Sequence, residues 1–167
     1  LDPSTAAGLN GLREGLPITI PETGEVVHAH PNFRWAATAN TNGGGDETGL
    51  YQGTNRLNGA FLDGFWGLQV GYPDKEHERA IVQSAVPELE VPYIDRMISV
   101  ANDVRKVFMG ESDKDEAIEL TMSTRTLVRW ARMQVVFAGV AQHGESPNRY
   151  ALERALTWRA TPETKAF

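Results

Sequence analysis

The chain contains no cysteine. That absence removes disulfides, thiolate metal ligands and cysteine nucleophiles together, and it excludes the small disulfide-stapled scaffolds of secreted proteins. A reducing, cytoplasmic setting fits it. No apolar run approaches the roughly 20 residues that a membrane span needs. The N-terminal Leu1-Asp2-Pro3-Ser4 has neither the basic region nor the apolar core of a signal peptide. Cations are outnumbered: Lys+Arg 16 against Asp+Glu 22 gives a net charge of −6, which argues against attachment to nucleic acid or an anionic membrane by bulk charge. Aromatics are scarce at 8%, but 41% of the 167 residues are hydrophobic, enough for one ordinary domain with a real core. The first residue is Leu and not Met, so the expectation is a piece of a longer chain whose upstream part is missing.

Pattern along the chain divides it in two. Asp2 is placed to cap a helix with Pro3 at its first position, and Ala6, Leu9 and Leu12 repeat at helical spacing until Gly15 supplies a left-handed stop. Leu16 to Ile20 and Val26 to His30 are β-prone runs about a Pro21-Glu22-Thr23-Gly24 turn, which predicts a hairpin. Phe33 to Ala39 is nearly continuous in apolar residues, the pattern of a strand covered on both faces. Thr41 to Gly53 carries five glycines and reads as a long loop. A short helix is predicted near Leu57 to Asp63. Trp66, Leu68, Val70 and Tyr72 then alternate as a second strand.

From Asp74 the period becomes helical. Asp74 caps a helix that Pro87 stops; Pro92 opens another, bearing Ile94, Met97, Ile98, Ala101, Val104 and Phe108 on one stripe until Gly110. Ser123 caps a third helix, bearing Leu127, Val128, Ala131 and Val135 and ended by Gly139. Ser146-Pro147 opens a fourth, fading near Thr161-Pro162. The expected fold is therefore an α/β part over residues 1–73 and an all-α part of about four helices over 74–167. Two strands and a hairpin do not make a complete doubly wound sheet, so the first part reads as the end of a larger one.

The usual chemical motifs are missing. Gly43-Gly44-Gly45 is followed by Asp46 and Glu47, and no lysine followed by Ser or Thr completes a Walker A pattern anywhere, so direct phosphate cradling by this loop has no support. His28 and His30 share one face of a strand but lack a third ligand, and no metal site is assigned. No Ser/His/Asp arrangement is visible. The informative pair is Asn40, at the end of the first apolar run, and Arg125, in the first turn of the third long helix beside Ser123 and Thr124. An Asn there can orient a water or hold a phosphate oxygen, and Arg offers a planar fork of donors to phosphate.

The run HAHPNFRWAATANTNGGGDETGLYQGTNRLNGAFLDGF (His28 to Phe65) and the segment STRTLVRWA (Ser123 to Ala131) together resemble the AAA+ ATPases of the MoxR-like and dynein-related group, nearest the ATPase subunit of aerobic cobalt chelatase. The resemblance implies the C-terminal part of a P-loop ATPase core followed by a helical lid. It implies that Asn40 is the sensor 1 residue, that Arg125 is the sensor 2 arginine contacting nucleotide phosphate, and that Leu16 to His28 is the hairpin before the sensor 1 strand. ATP and Mg²⁺ would be the cofactors of the intact parent. None is expected on this chain alone, because the P-loop lysine and Walker B acids would lie upstream of Leu1. Partners would be other copies of itself, a hexameric ring in the parent and a dimer or larger assembly for this piece, and a remodelled protein; neither nucleic acid nor membrane is implied. The implied function is ATP hydrolysis coupled to remodelling of a partner or to metal insertion. The family reads Leu-Asp-Arg where this chain has Leu62-Asp63-Gly64, so the arginine finger is missing at Gly64 and Arg56 is its substitute candidate. The alternatives are a degenerate AAA+ scaffold without turnover, and an unrelated α/β plus helical binding domain.

Overall fold

A computed structural model describes residues 3–39, 41–42, 44, 55–111 and 118–166 of the chain. Asp2, Asn40 and most of the glycine-rich stretch 41–53 lie outside the described residues. The chain forms two compact units, Leu1–Gln69 and Val70–Phe167. The described part is mostly helical, with one two-stranded sheet. No helix among the described residues is long and apolar enough to cross a membrane.

In the first unit, helices α1 (Pro3–Gly8) and α2 (Asn10–Arg13) occupy the stretch predicted as one helix, divided at Leu9. Gly15 takes φ +80°, the left-handed stop that its lack of a Cβ permits. Strands β1 (Ile18–Thr19) and β2 (Val26–Val27) pair antiparallel, Ile18 opposite Val27 and Thr19 opposite Val26, so the hairpin is present but short. Helix α3 (Gly59–Leu62) starts at Asn58, whose side chain accepts from the Ala60 N–H.

The two longer strands expected at Phe33–Ala39 and Trp66–Tyr72 do not form. Among the described residues β1 and β2 are the only paired strands, and an apolar run becomes a strand only when another supplies the ladder of N–H and C=O partners. Left unpaired, Phe33 is exposed, as are Trp66, Leu68 and Val70 at 101%, 86% and 81%. Trp35 packs on rings instead: Phe61 and Phe65 stand edge-on to it, centroids 6.1 and 5.2 Å away.

The second unit matches its pattern more closely. Its long helices are α4 (Lys75–Ala85), α5 (Val91–Phe108), α6 (Thr124–Val136) and α7 (Pro147–Ala155). Helices α4, α6 and α7 begin where caps were read, and α5 begins one residue before the expected Pro92, after Glu90, whose side chain makes no cap bond. Asp74, Ser123 and Ser146 each accept from the N–H three residues on, a bond typically contributing about 1 kcal/mol for a serine cap. Gly110 turns the chain at φ +71°. Gly139 is not the stop after α6. It lies inside a 3₁₀ helix, Ala138–His143, which Gly144 ends at φ +77°. Nor does structure fade at Thr161-Pro162, since a short α8 (Pro162–Ala166) starts there. The core joins all four long helices: Val82 of α4, Ile94, Ile98 and Ala101 of α5, Leu127 and Trp130 of α6 and Ala151 of α7 are buried together. Trp130 also donates its indole N–H to the Asn148 carbonyl, 3.1 Å away, which satisfies the one polar atom it buries.

At the surface of this unit Arg79 clamps Asp95 with two bonds of 2.6 and 2.8 Å, joining α4 to α5. The Arg79 guanidinium holds the Asp95 carboxyl below the usual carboxylate range, and the His77 N–H does the same for Asp74. A carboxylate whose folded pKa is depressed stabilises the fold above its unfolded pKa, and that contribution is lost as pH falls through the folded value. Thermal unfolding midpoints should therefore be level near neutrality and fall below about pH 4. Asp95→Asn should flatten that acid limb; a limb of unchanged depth would show that other carboxylates carry it.

Candidate functional site

The start of α6 is built around a buried ion pair. Arg105 of α5 and Glu78 of α4 meet side by side, Nη2 to Oε1 at 2.7 Å and Nη1 to Oε2 at 2.8 Å, with side chains 2% and 0% exposed. Arg105 also donates to Asn102 Oδ1 and, through Nε, to the Met122 carbonyl. Glu78 Oε1 accepts a further bond from the Thr124 hydroxyl at 2.7 Å. The Tyr72 ring covers the guanidinium, its centroid 4.1 Å from Cζ, and the Tyr72 hydroxyl pairs with that of Thr121. Two desolvated charges are tolerable only with this degree of satisfaction. Thus Met122 is held by Arg105, Ser123 caps α6, and Thr124 is held by Glu78.

Arg125 follows as the second residue of α6, and it is exposed. The first turn of α6 contains no acidic residue. Helix starts carry partial positive charge and unpaired N–H groups, so they favour anions and disfavour a cation by about 0.3–1 kcal/mol. A guanidinium placed there adds to the field instead of cancelling it. The arrangement suits a phosphate or carboxylate from outside, bound by Arg125 and the free amides together.

The remaining site residues fall elsewhere. Asn40 lies outside the described residues. Arg56 is exposed in the first unit, with no hydrogen bond or ion pair among the described residues. Gly64 has a neighbour that pattern reasoning did not find. Arg13 Nη1 donates to the carbonyls of Phe61 and Ala60, at 2.9 and 3.3 Å, tying α2 to α3. Its guanidinium lies so close over Gly64 that an added Cβ would overlap it. The space a side chain at residue 64 would leave through is already filled by a cation, although that cation is committed to two carbonyls. His28 and His30 are exposed, and the His30 ring accepts from the Asn32 N–H. No group of three metal-binding side chains occurs among the described residues.

Residues 78–166, slightly more than half the chain, match the CbbQ/NirQ/NorQ C-terminal family. The chain belongs to that family. It is also similar to the aerobic cobaltochelatase subunit CobS of a Sinorhizobium species, 32% identical over 130 residues, which cover 74% of this chain and 37% of that subunit. A second relative is Midasin of Dictyostelium discoideum, 29% identical over 124 residues, 74% of this chain and 2% of Midasin. The chain thus spans little more than a third of the cobaltochelatase subunit and a small fraction of Midasin. No solved structure matches significantly. The resemblance drawn from His28–Phe65 and Ser123–Ala131 holds: the relatives belong to the AAA+ group, one a cobaltochelatase subunit and one dynein-related. The CbbQ/NirQ/NorQ match runs from Glu78 through Arg105, Thr124 and Arg125, and it leaves Asn40 and Arg56 upstream.

Two outcomes follow from these contacts. Arg105→Leu strands a buried carboxylate and should lower stability by about 3–5 kcal/mol in urea unfolding, whereas Arg79→Leu at the surface should shift the midpoint far less. At the other unit, Gly64→Ala should displace the flexible end of the Arg13 side chain and cost no more than about 1 kcal/mol through its two carbonyl bonds, and next to nothing in an Arg13→Ala background. Additive losses in that double-mutant cycle would mean the two positions do not share the space.

Proposed function

We propose that the chain is the C-terminal part of a AAA+ ATPase whose intact parent hydrolyses ATP to remodel a protein partner or to insert a metal. Residues 1–73 would be the end of its α/β core and residues 74–167 its helical lid. The observation that supports this reading best is Arg125, an exposed cation in the first turn of α6, in a helix start held from both sides by the Glu78–Arg105 pair. Membership of the CbbQ/NirQ/NorQ family and similarity to a cobaltochelatase subunit support it independently.

The residues of this chain fit the phosphate end of a nucleotide and not its Mg²⁺ or its P-loop. Arg125 and the α6 amides offer donors to phosphate oxygens, while the chain has no Walker A pattern and no metal-binding group among the described residues. When bound, ATP with Mg²⁺ supplies the phosphoryl group whose hydrolysis does the work. Arg125 would neutralise phosphate charge as sensor 2. Asn40, as sensor 1, would orient the attacking water. Arg56 would be the cation offered to a neighbouring copy in a ring, since it is exposed and has no partner among the described residues. Ring assembly, a hexamer by resemblance, follows from the same reading.

One feature favours a second reading, a AAA+ module kept as a scaffold. Gly64 stands where the resemblance expects an arginine finger, and the Arg13 guanidinium occupies the space beside it.

The test is ATP turnover by the parent protein. Asn40→Ala and Arg125→Ala should each lower it by roughly tenfold or more, as for loss of one charge-stabilising donor, and Arg56→Ala should act only in the assembled ring. Turnover unchanged by both sensor substitutions would overturn the site assignment. A parent that binds ATP without hydrolysing it would establish the scaffold reading.

A further inference from the structure

The outer face of α6 carries Arg125, Arg129 and Arg132, three exposed arginines at i, i+4 and i+7, spread over about 10 Å of helix. None has a carboxylate within salt-bridge distance among the described residues, although Arg13, Arg79, Arg105 and Arg154 each do. Like charges at this spacing repel one another by a few tenths of a kcal/mol per pair. The stripe is therefore not self-sufficient, and it runs against the acidic balance of the chain.

Beside the stripe lies an open cleft of about 460 Å³ between α6 and α4, floored by Ile81, Val128, Met133 and Val136. Ile81 is 42% and Val136 74% exposed. A second hollow shares Ile81 and Arg132 with it and extends along α4 to His77 and Ser84, so the groove continues past the end of the arginine row.

Each half of this surface excludes a class of occupant. A free anion or polyphosphate satisfies arginines but has no use for an apolar floor. A nucleic acid would need large aromatic platforms for its bases, and no Phe, Tyr or Trp side chain lines the groove among the described residues. An apolar helix alone would leave the guanidinium row unanswered. The chemistry that meets both halves is an amphipathic helix with acidic residues along one flank of its apolar face, the helix-in-groove mode of peptide recognition.

We propose that the α4–α6 groove docks an acidic amphipathic helix of a partner protein, with Arg129 and Arg132 pairing its carboxylates and Ile81, Met133 and Val136 receiving its apolar side chains. Arg125 lines the same groove and stays with the nucleotide reading, while Arg129 and Arg132 carry the docking. The docking site does not depend on that reading.

The probe is a short synthetic amphipathic helix, fluorescein-labelled, with leucines on one face and glutamates along its flank, titrated against the 167-residue chain by anisotropy. Binding in the micromolar range is expected, with Ile81 and Met133 methyl resonances shifting on titration. Arg129→Glu with Arg132→Glu should weaken it by at least about tenfold, and so should Val136→Asp. Arg125→Ala, in the same lining, should weaken it less than the double substitution does, because the carboxylate pairs are made by Arg129 and Arg132. All four positions are at the surface, and an unchanged circular dichroism spectrum certifies the fold of each variant. The proposal fails if the peptide does not saturate the chain. It fails equally if polyglutamate, tripolyphosphate or a lysine-for-glutamate peptide binds as well as the probe. Concentration-dependent self-association abolished by the double substitution would assign the groove to a second copy instead.

Discussion

The organisation of the helical unit depends on one interaction, the buried contact between Glu78 and Arg105. It is costly to form, because both groups leave water, and a hydrophobic pair could contribute as much to stability. What a hydrophobic pair lacks is direction. The guanidinium fork fixes α5 against α4 and reaches the Met122 carbonyl, and the remaining lone pairs of Glu78 fix Thr124. The start of α6 is thereby set by hydrogen bonds of defined geometry, whereas Leu127 and Trp130 hold its middle by shape alone. Arg125 is the next residue in the chain, so its backbone is fixed by the same bonds.

Charge is used in two opposite ways on neighbouring faces. Inside, a cation is enclosed and matched on every side that the contacts show. Outside, Arg125, Arg129 and Arg132 have no carboxylate partner among the described residues, in a chain with six more acids than bases. Solvation alone accounts for any one exposed arginine. Three in a row beside exposed Ile81 and Val136 place cationic and apolar surface together, the combination that distinguishes a recognition surface from a merely soluble one.

How legible all this is in the sequence depends on how far apart the interacting residues lie. The caps at Asp74, Ser123 and Ser146 and the turns at Gly15 and Gly110 are local, decided within a few residues, and pattern reading places them. Gly139 misleads because a glycine is also tolerated in a 3₁₀ turn, and the left-handed residue is Gly144. The runs at 33–39 and 66–72 mislead for a non-local reason: apolar alternation describes a side-chain pattern, while a strand is made by a partner elsewhere. Arg105 was readable in part. It falls on the stripe of Ile98 and Ala101, and Glu78 on that of Val82, so an ion of each sign sits on a buried face; only their meeting across 27 residues is beyond local pattern. The clasp of Arg13 over Gly64 leaves no local signal at all. Of the candidate site residues, Arg125 and Arg56 are exposed, and Asn40 falls outside the described residues.

Tyr72 gives the buried pair a mechanical role as well. The segment before it is exposed at Trp66, Leu68 and Val70, and Tyr72 packs its ring on Arg105 and pairs its hydroxyl with Thr121. A pull along the segment is therefore borne first by the guanidinium and not by the apolar core. From Arg105 the load passes through Glu78 to the first residue of α6. Tension in a linker and the position of a charged side chain at a helix start are in this way joined by a handful of stiff, directional bonds.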